Sequence, residues 1–197
     1  MNGTAEIRSY LELLSNTVDK LPFDSIETVA NVLLRAYERE HTIYLFGNGG
    51  SAALASHFAC DLGKGTVNGC GRRFRVVALT DNVPLITAWA NDSHYENIFA
   101  EQLANLVRSN DVAFAISCSG NSPNVLRGLE LARETGAVTV GLTGFQGGKM
   151  KELCDTCVIV PSNNMQIIED LHLGIAHAVF TAIKSKVSQR AQAVFAD

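Results

Sequence analysis

The sequence predicts an α/β protein with a parallel five-stranded sheet covered by helices on both faces. Two observations carry this. Five short runs, each nearly continuous in apolar residues, alternate with longer stretches whose apolar residues recur at helical spacing. A strand–Ser/Gly loop–helix unit also occurs twice, about 70 residues apart. No linker, low-complexity tract or charge block interrupts the 197 residues, so one domain spanning 1–197 is expected.

The elements follow in order. Residues 4–18 place Ile7, Tyr10, Leu11 and Leu14 at helical spacing, and 24–40 do the same with Ile26, Val29, Val32, Leu33 and Ala36. Pro22 stops the first helix, and Asp24 is the expected N-cap of the second. Residues 41–46 form a first strand, followed at once by Gly47-Asn48-Gly49-Gly50-Ser51 and an Ala-rich helix over 52–62. A second strand covers 74–80, with helices over 82–90 and 93–108. The third strand, 112–117, ends in Ser117-Cys118-Ser119-Gly120-Asn121-Ser122 and a helix over 123–135. Strands at 138–142 and 156–160 precede a long helix from Met165 to Val187. The helices of residues 1–40 and the last helix exceed what one sheet needs. Such a surplus predicts a bundle between subunits, hence a homo-oligomer.

Composition narrows the function classes. The net charge is −4 and charged residues make up 18% of the chain, so no basic surface calls for nucleic acid, while a small anionic metabolite needs only local donors. No apolar run reaches the roughly 18 residues of a membrane span, and the acidic amphipathic N-terminus does not read as a signal peptide. Five cysteines in a chain of this length read as cytosolic thiols, so a cytoplasmic setting is expected. Cys154 and Cys157 form a C-x-x-C where a loop runs into a strand. A redox motif of the thioredoxin kind would start a helix, and no second C-x-x-C completes a zinc site, so these read as small, partly buried thiols.

The two Ser/Gly loops are the first candidates for chemistry. Glycines let the backbone approach a ligand, and a helix start offers N–H groups and a positive dipole end. The first loop does not have the spacing of the known nucleotide-binding glycine motifs. The second loop brings serine hydroxyls and amides without Lys or Arg, donors suited to a phosphate monoester. Paired at the C-terminal ends of parallel strands, the loops predict a phosphorylated small molecule.

A second group is titratable. His57 and Asp61 are four apart on one helical face, and Glu169, His172 and His177 lie on the last helix. Two helices could join these imidazoles and carboxylates into a divalent-metal site; equally, His57 could pack, Asp61 stay solvated and the other histidines face core or water. His94 beside Asn91-Asp92 is a weaker candidate, Lys64 reads as solvated, and Arg72, Arg73 and Arg75 read as a solvated loop end.

GNGGSAALASHFACDLGKG, TDNVPLITAWAND, ISCSGNSPNVLRGLELARETG and GLTGFQGGKM resemble SIS (sugar isomerase) domains, and specifically the phosphoheptose isomerases, over nearly the whole chain. The resemblance implies a flavodoxin-like sheet, a cytoplasmic homotetramer, and isomerisation of sedoheptulose 7-phosphate to D-glycero-D-manno-heptose 7-phosphate through an enediol. It implies substrate contacts at Asn48, Gly49, Gly50, Ser51, Asn91, Asp92, Ser117, Cys118, Ser119, Ser122 and Glu169. It further implies one Zn²⁺ per subunit on His57, Asp61, Glu169 and His177, with Asp61 and His177 carrying the proton transfers. The family pattern has Glu where this chain has Asp61 and Gln where it has Glu169. Two other readings attach to the same resemblance: a non-catalytic adaptor that binds a replication initiator protein, and an isomerase of another sugar phosphate.

Overall fold

The computed structural model describes residues 3–67 and 72–194. The helical spacing near the N-terminus becomes α1 (Gly3–Val18) and α2 (Phe23–Arg39). The first β-rich run is β1 (Thr42–Gly47), followed by α3 (Gly50–Cys60) and one π-helical turn, Asp61–Gly65. Then come β2 (Arg75–Ala78), α4 (Val83–Asp92), a 3₁₀ turn at Tyr95–Asn97 and α5 (Ala100–Leu106). The second half alternates β3 (Val112–Ser117), α6 (Pro123–Glu134), β4 (Val138–Thr143), α7 (Met150–Leu153) and β5 (Thr156–Ile159), and ends on α8 (Met165–Val194).

The five strands pair in the order β2-β1-β3-β4-β5, all parallel. Successive side chains of a strand point to opposite faces, and the core divides accordingly. Ile43, Leu45, Phe114 and Ile116 pack with α2, α3 and α8, whereas Tyr44, Phe46, Ala113 and Ala115 pack with α5 and α6. Both faces are covered, which is why the strands read as continuous apolar runs. No helix among the described residues is long and apolar enough to cross a membrane.

Three local expectations need correction. Asp24 does not cap α2: the helix starts one residue earlier with Pro22 before it, and no side chain caps it. Asp24 lies in the first turn, where its charge meets the positive helix end. The helix expected over 93–108 is broken. Ser93 leaves the helical region at φ −133°, ψ −108°, and its hydroxyl donates back to the Trp89 carbonyl at 2.7 Å, closing α4. The 3₁₀ turn then redirects the chain before the short α5. The second strand is four residues rather than seven, although Leu79 N–H still donates to the Leu45 carbonyl of β1 at 2.9 Å.

Helix α8 buries Ile167, Ile168, Leu171, Ile175, Val179 and Ile183 on one stripe. The same face carries His172, which is 1% exposed, bonded to the Thr143 backbone, and without a partner for Nε2 among the described residues. Burial pushes its pKa down to about 4, against the Thr143 bond, so the folded ring is neutral. An unfolded chain takes up this proton near pH 6.5, the ordinary histidine value. The contribution is therefore intact above that pH and is lost as pH falls toward 4, by about 1.4 kcal/mol per pH unit. Urea unfolding at steps between these values should show the native protein losing stability faster than His172→Asn; equal slopes would contradict the neutral buried ring.

Candidate functional site

Sheet order positions the two Ser/Gly loops. β1 and β3 are neighbours, with Gly47 beside Ile116, yet α3 leaves toward one face of the sheet and α6 toward the other. The loops diverge and leave a crevice at the carboxyl ends of the strands. Gly47 is required here, since a Cβ would lie 2.6 Å from the Ile116 carbonyl oxygen. Gly49 turns the chain at φ +54°, ψ −122°, and α3 starts at the next residue.

The crevice is a cleft of about 240 Å³ lined by Asn48, Gly49, Gly50, Ser51, Ser117, Cys118, Ser119 and Ser122, with Met165 and Glu169 from α8. All eight loop residues singled out in the sequence meet there. Ser122 precedes Pro123 at the start of α6 but makes no side-chain capping bond; its Oγ lies 3.3 Å from Ser117 Oγ. Two hydroxyls and the first turns of two helices thus face one small cleft, which suits a phosphate. Burial, with the Glu169 carboxylate adding to it, pushes the Cys118 thiol up to about 11 against a hydrogen bond with Ser51. Cys118 is a neutral lining group, not a thiolate nucleophile.

The titratable residues meet where α3 packs on α8. His57 Nε2 and His177 Nε2 are 2.9 Å apart, and Asp61 Oδ2 is 3.4 Å from the first and 3.7 Å from the second. At that separation the two nitrogens cannot both carry protons without clashing, so at least one offers a lone pair. The three ligand atoms lie within 4.8 Å of one another. Two imidazoles and a carboxylate are a donor set that fits a divalent transition metal.

Glu169 is not part of this trio. Its carboxylate lies on the first turn of α3, where a Cβ at Gly50 would stand 2.9 Å from Oε1; there it faces a positive helix end. A cavity of about 450 Å³ runs from Gly50, Ser51 and Glu169 past Leu54 and Leu173 to His57, His172 and His177. Gly50, Ser51 and Glu169 therefore border both cavities.

Other candidates stand apart. Asn91 and Asp92, at the end of α4, are exposed, bond to each other at 2.8 Å, and border neither cavity. His94 and Lys64 are exposed and border neither. Arg72 donates to the Glu38 carbonyl and stands 3.7 Å from Glu40, tying its loop to the end of α2, while Arg73 and Arg75 are exposed.

The sequence reading missed three supporting residues. Asn48 and buried Asn124 exchange amide hydrogen bonds of 2.9 and 2.8 Å, and Tyr95 donates to Asn48 Oδ1 at 3.1 Å. Asn124 falls in the first turn of α6, a position the loop motif could have flagged. Tyr95 comes from a distant segment and carried no signal. Asp170 borders the larger cavity and accepts from Tyr10 at 2.5 Å, a bond that pushes the phenol up to about 12.

Comparison with known proteins agrees with this geometry. The SIS domain family profile matches residues 7–144. A phosphoheptose isomerase of Bradyrhizobium sp. (strain ORS 278) is 37% identical over 97% of this chain and 95% of its own length. One from Aquifex aeolicus is 38% identical over 84% of this chain and 86% of its own. Among solved structures, the phosphoheptose isomerase of Neisseria gonorrhoeae superposes with a TM-score of 0.86 at 29% identity, covering 92% of this chain and 98% of that one. The Francisella tularensis phosphoheptose isomerase gives 0.86 at 30%, covering 94% and 100%. With the sheet order, the paired loops and the His–Asp–His cluster all in place, this chain belongs to the SIS-domain family and, within it, to the phosphoheptose isomerases.

Proposed function

We propose that the protein interconverts sedoheptulose 7-phosphate and D-glycero-D-manno-heptose 7-phosphate. One observation carries the reading: Gly50, Ser51 and Glu169 are common walls of the serine-lined cleft and of the cavity that ends at His57 and His177. A molecule with phosphate at one end and a carbonyl at the other fits this continuity. The phosphate takes the hydroxyls of Ser117, Ser119 and Ser122 and the first-turn amides of α3 and α6, while the chain runs along α8.

Aldose–ketose exchange needs one group to take a proton from carbon and another to move protons between the two oxygens. Asp61 is the base: its carboxylate accepts the C1 proton of the ketose and returns it to C2. His177 delivers a proton to the C2 oxygen and receives the one leaving the C1 hydroxyl. Asp61 is one methylene shorter than the glutamate of the family pattern, and misplacement of roughly 1 Å can cost about a hundredfold. The close approach of His57 and His177 to Asp61 keeps all three on one short arc. Glu169 acts from the substrate side of the cleft.

His57, Asp61 and His177 would hold the metal, for which we infer one Zn²⁺ per chain; it would supply Lewis-acid polarisation of the substrate oxygens. The donor set supports this inference. Calorimetric titration should give one zinc per chain, with affinity at least tenfold weaker in His57→Ala and His177→Ala, while Glu169→Gln raises KM and leaves zinc affinity near native. Equal zinc affinity in all variants would remove the metal from this site.

Turnover is the direct test. NMR of the zinc-loaded protein with sedoheptulose 7-phosphate should show the aldose, and Asp61→Ala and His177→Ala should each lower kcat by about 10²–10⁴. No product from the native protein with zinc bound would overturn the assignment.

We further infer a homo-oligomer, a tetramer built through residues 1–40 and α8. Ile7 is 65% exposed, Leu11 55% and Phe23 60%, and Ile7, Leu11 and Val18 share a stripe of α1. Sedimentation should give a species four times the 21.2 kDa chain mass. Ile7→Glu with Leu11→Glu should reduce it to smaller species; an unchanged tetramer would place the interface elsewhere.

A further inference from the structure

The C-x-x-C thiols line neither cavity of the site, and the isomerase reading makes no use of them. Cys157 is on β5, paired in register with Gly141 of β4, and Cys154 sits where α7 ends. Both side chains turn onto the same point. A Cβ at Gly141 would stand 2.8 Å from Cys154 Sγ and 3.0 Å from Cys157 Sγ, and the two thiols hydrogen-bond each other. Gly141 is thus the residue that leaves room for two sulfurs side by side. Both cysteines are free and only partly buried, so small oxidants reach them.

The pair is chemically unequal. The bond from Cys154 holds the Cys157 thiol below its ordinary value, with the Lys151 ammonium adding to this against desolvation, while Cys154 is held well above. One sulfur is therefore the better nucleophile and the other its resolving partner.

The surroundings connect the pair to the phosphate-side loop. The segment from Gly144 to Met150 clamps that loop: Gly144 N–H donates to the Cys118 carbonyl at 2.9 Å, Lys149 N–H to Asn121 Oδ1 at 3.1 Å, and Met150 N–H to the Gly120 carbonyl at 3.0 Å. Met150 begins α7, whose single turn ends at Cys154. The Met150 methyl also abuts Gly141, 2.8 Å from the same Cβ position. A change in how Cys154 sits thus has one turn of helix between it and the serine loop.

We propose that Cys154 and Cys157 form a reversible thiol/disulfide pair, oxidised by a peroxide, whose closure loosens the phosphate-side loop through α7. The Cys157 sulfur attacks one oxygen of hydrogen peroxide, the O–O bond breaks, and hydroxide leaves, giving a sulfenic acid. The Cys154 sulfur then attacks the Cys157 sulfur, the S–O bond breaks, and the oxygen departs as water with the Cys154 proton. Two thiols lose two electrons and two protons, and the peroxide becomes two waters. A dithiol reductant reverses the bond by exchange.

The test uses the full chain with hydrogen peroxide. After oxidation and alkylation of remaining thiols, the tryptic peptide 152–184 should be lighter by about 2 Da than its reduced, unalkylated form, two hydrogens having been lost, and dithiothreitol should restore it. Cys154→Ser should accumulate a dimedone-trapped sulfenic acid at Cys157, and Cys157→Ser should form neither species; both are conservative enough to be checked for native unfolding midpoints first. Exposed Cys60 reports general oxidation in the same digest. Calorimetry with inorganic phosphate should show severalfold weaker binding in the oxidised native protein and no change on the same treatment of Cys157→Ser. Peptide 152–184 becoming fully alkylated while Cys60 oxidises would overturn the pair. A disulfide that leaves phosphate affinity unchanged would overturn its coupling to the loop. The mass readout does not depend on the isomerase assignment, so the two fail separately.

Discussion

The contact between the ends of β1 and β3 is the constraint from which the rest of the site follows. Gly47 runs so close to the Ile116 carbonyl that no side chain fits between them. The two strands end together while their helices depart to opposite faces of the sheet, which opens a crevice with a helix start on each side. Because β1 ends at Gly47 and Gly49 takes a positive φ, α3 begins at Gly50 and runs across the face that α8 also occupies. Two turns along α3, His57 meets His177. Moving the start of α3 by one residue would rotate its side chains by about 100° and separate that pair.

Electrostatics then divides the cavity into two ends. At one end, helix starts and hydroxyls present donors, and the Glu169 carboxylate lies against the first turn of α3. At the other, two imidazoles and Asp61 gather three ligand atoms within 4.8 Å of one another, a set that fits a cation. The π-helical turn beginning at Asp61 widens α3 where this carboxylate projects, a common feature of helices at functional positions. Leu54 and Leu173 give the passage between the ends an apolar wall, which strengthens charge interactions inside it. His172, buried and neutral beneath the cavity, adds no charge of its own.

Much of this was legible in the amino-acid order. The alternation of apolar runs and helical spacing was enough for the parallel sheet, and the two Ser/Gly loops could be placed at strand ends before any coordinates. His57 and Asp61, four apart, could be assigned to one helical face by periodicity, and Glu169 and His177 to the last helix. Where the local structure departs from the expectation, the reasons are local. The helix expected over 93–108 is interrupted by His94, which takes an extended conformation at φ −139°, ψ 148°, and by the 3₁₀ turn that follows it. Asn91 and Asp92 follow a motif in the chain, yet α4 ends with both exposed and bonded to each other.

The sequence by itself determined the fold class, the loop chemistry and the identity of the donors, because periodicity, turn glycines and side-chain type are local properties. Tertiary structure decided which donors meet. Asp61 joins His57 and His177 while Glu169, of the same charge and on the same helix as His177, lies instead on the start of α3. Tyr95 and Asn124 support Asn48 across 47 and 76 residues of chain. Such pairings depend on how two helices cross and how far a strand runs before it turns, quantities set by packing over the whole core rather than by any one stretch of residues.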